Sequence, residues 1–245
     1  MKYLIAFTVL LLVRCNSDPS HSAFVSTSSV SHPVPTMLAA PPISRPQVLR
    51  GWLRDYDAFI KSEVQEYPKL LKIAPGRLSN FCPGFARIRD KAQFYADLLW
   101  SIAGPESDRR RTQITLETNL DGVVNPIDPV TGYQVRSEGL LQLSYQDTVN
   151  YNAPKACPFD WRADKAKALA EFSRGAGYGD GTRSIHDAYK NLKCGVFILN
   201  AHLSQLYPSA KFEDALRRYW ITMDPADPAY KIVRANLKKR QPACK

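Results

Sequence analysis

Ala92-Gln93-Phe94-Tyr95-Ala96-Asp97-Leu98-Leu99-Trp100-Ser101-Ile102-Ala103 is the stretch on which the fold reading turns. At 3.6 residues per turn, Phe94, Tyr95, Leu98, Leu99, Trp100 and Ile102 cover nearly every side of a helix. A helix that is apolar all round belongs in a core. The pattern predicts a central helix that ends at Gly104-Pro105, because proline has no N–H to continue the ladder. Glu106-Ser107 follows directly. Burial beside a helix C-terminus raises a carboxyl pKa, since low polarity and the partial negative charge of the helix end both oppose ionisation. The common fate of a glutamate after a helix is an exposed loop, so the position alone decides nothing. Arg109, Arg110 and Arg111 come next, and their charge lowers that pKa unless they point away.

Working outward, Trp52, Tyr56, Phe59, Ile60 and Val64 recur at helical spacing and predict a first helix over residues 48–71. The segment around Cys82-Pro83-Gly84 reads as a loop. Residues 112–116 alternate as a short strand, and 119–132 are turn-rich. Leu192, Val196, Leu199, Leu203 and Leu206 mark another helix. Phe212, Leu216, Tyr219, Trp220 and Met223 mark what reads as the last one. The fold class expected is mainly α with a small β element.

The chain has 245 residues and 33 Lys or Arg against 23 Asp or Glu, a formal charge of +10. One compact domain and non-globular extras fit that length. Lys2 followed by an apolar run over residues 3–13 reads as an export signal, expected over 1–15. The run is too short to cross a bilayer, which takes roughly 20 apolar residues. Cys15 after Leu12-Val13-Arg14 leaves a lipid anchor open. Residues 16–47 carry eight serines and six prolines, a linker composition that cannot bury enough surface to order itself. The folded domain is expected over 48–245, exported to the periplasm or beyond and monomeric.

Four cysteines remain, an even number that suits two disulfides in an oxidising compartment. Spacing does not determine the pairing; our expectation is Cys157 with Cys194 and Cys82 with Cys244. No CxxC spacing accompanies His186 and His202, which speaks against zinc, and no cofactor is expected. The excess positive charge attracts polyanions such as wall polymers or nucleic acid. Residues 231–245 carry six Lys or Arg and no acid, which suits a wall-binding tail or a solvated face.

A second stretch narrows the reading: Ser137-Glu138-Gly139-Leu140-Leu141-Gln142-Leu143-Ser144-Tyr145-Gln146-Asp147. Together with Glu106-Ser107 before it and Asn191-Leu192-Lys193-Cys194-Gly195 after it, it resembles the lysozyme-like superfamily of soluble lytic transglycosylases and goose-type lysozymes. That family carries a Glu-Ser pair at the end of a core helix, then a Gly-Leu-Met-Gln-like segment, then Asn-x-x-x-Gly. Residues 215–220 fall where it has an Ala-Tyr-Asn-like helix. The resemblance spans about residues 90–223. It implies a lysozyme-like fold and cleavage of the β-1,4 bond between N-acetylmuramic acid and N-acetylglucosamine in peptidoglycan. It implies Glu106 as general acid, Gln142 and its loop lining the sugar cleft, and Tyr219 in place of the family's tyrosine. It extends to lysozymes of predatory bacteria that act on deacetylated peptidoglycan.

Glu117, after the short strand, is read as a second catalytic carboxylate that positions water or steadies an oxocarbenium-like transition state. Its alternative is a structural hydrogen-bond acceptor, in which case the muramic acid's own hydroxyl attacks and leaves an anhydro end. Glu138, Gly139, Ser144 and Tyr145 are expected with Gln142 on the substrate side. For Glu138, support of the local backbone is the competing reading. Tyr145 and Tyr151 suit stacking on sugar faces or the edge of a core. Asp160-Trp161 reads as loop packing, and His186 and His202 as structural. The leading function is thus a muramidase acting on peptidoglycan strands, with a lytic transglycosylase and a non-catalytic wall-binding protein as alternatives. A nucleic-acid-binding protein ranks last, because charge is its only support.

Overall fold

The computed structural model describes residues 52–120, 123–172 and 177–245. The expected export signal over 1–15, the linker over 16–47 and Cys15 lie outside the described residues. Among those described, helices dominate and a small antiparallel sheet accompanies them.

The first predicted helix is two: α1 (Arg54–Gln65) and α2 (Pro68–Leu71). Pro68 cannot sit inside a continuous helix without losing a backbone bond, but it fits the first turn of a new one. Tyr56, Ile60 and Val64 turn inward from α1. The apolar segment forms α3 (Lys91–Ser107), with Asp90 accepting the Gln93 N–H at 2.9 Å as its cap. Leu98, Leu99 and Ile102 are fully buried. Helices α1 and α8 (Pro228–Arg240) pack against α3, and α6 (Ala188–Asn200) against α1.

Helix α3 does not end at Gly104-Pro105. Pro105 lies inside its last turn, where it forgoes a single bond, and the helix closes at Asp108, left-handed at φ 50°. The N–H groups of Asp108 and Arg109 return to Gly104 O and Ala103 O at 2.8 and 3.0 Å. Glu106 is therefore held in a helical turn and not in a loop. Arg109 turns away, its guanidinium 3.9 Å above the Trp100 ring.

Strands β1 (Gln113–Leu116), β4 (Arg136–Glu138) and β5 (Gly177–Tyr178) form a sheet in the order β4-β1-β5, with Thr115 opposite Ser137. A two-stranded hairpin, β2 (Asn119–Leu120) and β3 (Val123–Val124), follows β1. Two helices depart from the sequence reading. Beyond the short α4 (Asp147–Asn150), Trp161 begins α5 (Trp161–Phe172), whose inward residues include Asp164 and Glu171, so it carries no apolar period. The segment read as the last helix yields only α7 (Phe212–Leu216), and the true last helix is α8. The basic stretch is thus mostly α8, which sends Tyr230, Val233 and Leu237 into the core, and is not a free tail. Both expected disulfides are present, Cys82–Cys244 and Cys157–Cys194.

Helix α6 runs into a π-helical turn, Ala201–Leu206, closed by the Tyr207 N–H on His202 O at 3.1 Å. Arg77 braces this turn by donating to Leu203 O, Tyr207 O and Ala210 O at 2.7, 2.9 and 2.7 Å.

Candidate active site

Three separated motifs meet at one loop. Ser107 Oγ, at the end of α3, donates to Leu140 O at 2.8 Å. Asn191, on α6, accepts the Leu141 N–H at 3.0 Å and donates to Glu138 O and Ile185 O. Trp220 Nε1 donates to Leu141 O at 2.9 Å. Gly195 is without a side chain because a Cβ there would lie 2.2 Å from Leu141 Cδ1. The motif residues other than Glu106 thus build a tether that fixes the segment 139–143 against the end of α3.

Beside that tether lies an open cleft of about 800 Å³, within the size range of ligand sites. Glu106, Glu117, Gln142, Ser144 and Tyr219 of the sequence-predicted residues line it. Glu106 is half-buried, and Thr222 Oγ1 donates to its Oε1 at 2.7 Å. Its pKa is pushed up to about 7, by desolvation first, against the Thr222 bond, with repulsion from Glu117 and Asp227 adding to the rise. A carboxyl group at that value carries its proton through much of the neutral range, as a general acid requires.

Glu117 follows β1, where strand alternation sends Ile114 into the core and Thr115 toward the cleft. Ser137 Oγ donates to Glu117 Oε1 at 2.5 Å, and the Glu117 backbone bonds Val135 O at 3.0 Å. Gln142 is left-handed at φ 51°, a strained state for a side-chain-bearing residue, which costs on the order of 1 kcal/mol. Its Nε2 donates to Gly139 O and Gln113 O at 3.0 and 3.3 Å. Its Oε1 is a buried acceptor with no partner among the described residues.

The cleft also holds residues that the sequence reading left out of the site. Asp147 is 2% exposed and lines the cleft. It accepts the Tyr219 hydroxyl at 2.5 Å and the Ser144 N–H at 2.8 Å. Burial pushes its pKa up to about 6 against those two bonds, with Asp128 adding repulsion. Thr222, Asp227, Arg217 and Arg218 also line the cleft. Thr222 reaches Glu106 across 116 positions of chain, a separation over which no local pattern signals contact.

Three expected substrate residues do not line the cleft. Glu138 is 1% exposed and ion-paired to Arg183 at 2.7 Å, with His186 Nε2 3.0 Å from its carboxylate and Arg183 also holding Glu171 at 2.6 Å. Arg183 and His186 draw its pKa down against burial. Its role is internal, because a buried carboxylate without such partners is strongly unfavourable. Gly139 is a backbone requirement: φ is 83°, and a Cβ would lie 2.4 Å from Asn191 Nδ2. Tyr145 is buried, donating its hydroxyl to Asp164 at 2.8 Å, so its ring is core and no sugar platform.

No family model matches the chain, and neither does any curated protein. Solved structures of the Bdellovibrio protein Bd0314 DslA are similar to it. The wild type aligns with TM-score 0.54 at 22% identity, over 78% of this chain and 91% of that one. Two variants of it, each with one glutamate replaced by glutamine, align with TM-scores 0.54 and 0.56 at the same identity and coverage. At this identity the likeness speaks for the fold. Among the described residues no helix is long and apolar enough to cross a membrane.

Proposed function

We propose that the chain is a cell-wall glycosidase, a muramidase that hydrolyses the β-1,4 bond between N-acetylmuramic acid and N-acetylglucosamine. The observation that carries this is Glu106, a carboxyl group with its pKa raised to about 7 on the wall of an open cleft that also holds Glu117. Glu106 gives its proton to the bridging oxygen as the C1–O bond breaks. Positive charge develops on the ring carbon and oxygen. A water attacks C1 and gives its proton to Glu117 as the second carboxylate; exchange with solvent then ionises Glu117 and reprotonates Glu106, which restores both groups. In this account Tyr219, Gln142 and Ser144 contact the strand.

A second carboxylate in the same cleft favours hydrolysis over anhydro-forming cleavage, in which the substrate's own hydroxyl attacks. In Bd0314 DslA the two substituted glutamates are eleven positions apart, the same separation as Glu106 and Glu117. The finer reading is a preference for deacetylated strands: Glu117 and Asp227 give the cleft carboxylates that suit glucosamine ammonium groups. The chain is taken to act as an exported monomer.

Digestion of purified sacculi followed by mass spectrometry tests this. Reducing ends are expected. Anhydro ends, lighter by one water, would assign the chemistry to a transglycosylase. Release that is absent from both the parent and Glu106→Gln chains would leave a wall-binding protein. Parallel digestion of acetylated and deacetylated sacculi tests the preference, and equal rates would remove it.

A further inference from the structure

His202 is buried in the π-helical turn, where its ring nitrogens have two partners on different elements. Nδ1 lies 3.0 Å from Ala215 O, a carbonyl that only accepts, so Nδ1 carries the hydrogen. Nε2 lies 2.8 Å from the Tyr151 hydroxyl. Burial holds the His202 pKa below its ordinary value, with Arg218 acting in the same direction, so the ring is neutral and Nε2 is a lone pair. Tyr151, which lines the cleft, must therefore donate inward to His202, so its phenol oxygen has only lone pairs left to offer. The neighbouring Tyr219 is locked in the same sense, its hydroxyl donating to Asp147. A π-helical turn is a rare conformation and is often found at functional sites. Here Arg77 donates to Leu203 O inside the turn that carries His202 and to Tyr207 O and Ala210 O just beyond it.

We propose that Tyr151 binds the substrate strand through its phenol oxygen, accepting a hydrogen bond from a sugar hydroxyl or N–H, and that His202 is the positioning residue that sets this polarity. This rests on the glycan reading of the cleft. It adds a binding contact for Tyr151 beyond stacking, and a function for a histidine that the sequence presents as structural.

The test is a double-mutant cycle on binding in the catalytically silenced Glu106→Gln chain. The probes are peptide-free tetrasaccharides of alternating N-acetylglucosamine and muramic acid, acetylated and N-deacetylated, read by calorimetry. Tyr151→Phe is expected to weaken binding about three- to tenfold, the effect of losing one hydrogen bond. His202→Ala is expected to weaken it in the Tyr151 chain but to have no further effect in the Tyr151→Phe chain. His202→Gln, which keeps a donor and an acceptor, is expected to restore part of the loss. Should His202→Ala not fold, the cycle run with His202→Gln carries the same non-additivity test. Unaltered affinity in Tyr151→Phe, or losses that simply add, would overturn the proposal alone. No binding of either probe by the Glu106→Gln chain would overturn it together with the glycan reading.

Discussion

Replacing Glu106 by glutamine is expected to stabilise the protein while abolishing its activity, and the pH dependence of the gain follows from the site. The folded pKa is about 7, against an ordinary 4.5. Below about pH 4.5 the group is protonated in both the folded and the unfolded chain and contributes no penalty. As pH rises from 4.5 to 7 the unfolded chain ionises and the folded one resists, so stability is lost across that window. The difference of roughly 2.5 pKa units, at about 1.4 kcal/mol each, corresponds to roughly 3 kcal/mol by pH 8. Solvent screening of a half-buried side chain reduces this, so a gain of about 1–3 kcal/mol is the expectation at pH 8, with nearly none at pH 4. Glutamine keeps the shape and can still accept from Thr222, so little else changes. Urea unfolding of both chains at the two pH values, followed by tryptophan fluorescence, measures the difference directly. Turnover on sacculi should fall about 10²–10⁴-fold in the same variant, the usual contribution of a general acid. A stability difference that does not vary with pH, or a glutamine chain less stable at pH 8, would refute the account of Glu106 as a buried, proton-holding acid.

Other consequences can be checked alongside. Wild-type turnover should decline as pH rises through about 7, because Glu106 then lacks its proton; a rate that climbs across that range contradicts the assignment. Gly139→Ala puts a Cβ 2.4 Å from Asn191 Nδ2 at a φ of 83°, and should cost more than about 2 kcal/mol in denaturant unfolding. Arg183→Met leaves Glu138 and Glu171 buried without their shared guanidinium. A loss of about 3–5 kcal/mol is expected, and a loss below 1 kcal/mol would show that His186 alone satisfies Glu138. Removing Cys82–Cys244 by a double alanine replacement frees residues 162 positions apart, and the chain-entropy model gives about 5 kcal/mol of lost stability, read as a lowered melting temperature.

The central helix was legible in the sequence because apolar residues on all its sides have only one physical resolution, burial; that it runs on past Pro105 to hold Glu106 in its last turn was not. Of the small sheet only β1 was legible from alternation, because β4 and β5 are too short to show a period, and the ordered motifs marked the residues that tie the end of α3 to segment 139–143. Helix α5 was not legible, because its inward side chains are partly charged and satisfied by distant partners. Nor was the helical state of the basic C-terminal stretch. Its three buried side chains find the core only once α3 is in place beside them. What a linear chain states is which residues resist water and where the backbone must bend. Tertiary packing alone decided which carboxylates face the cleft and which are paired inside. The desolvation, the Thr222 hydroxyl and the Glu117 and Asp227 charges that set the Glu106 proton affinity act through space. In the same way Glu138 became an internal ion-pair partner, while Asp147, to which the sequence reading gave no role, and Tyr151, read as stacking on a sugar or edging the core, came to stand on the wall of the cleft, with His202, read as structural, directly behind it.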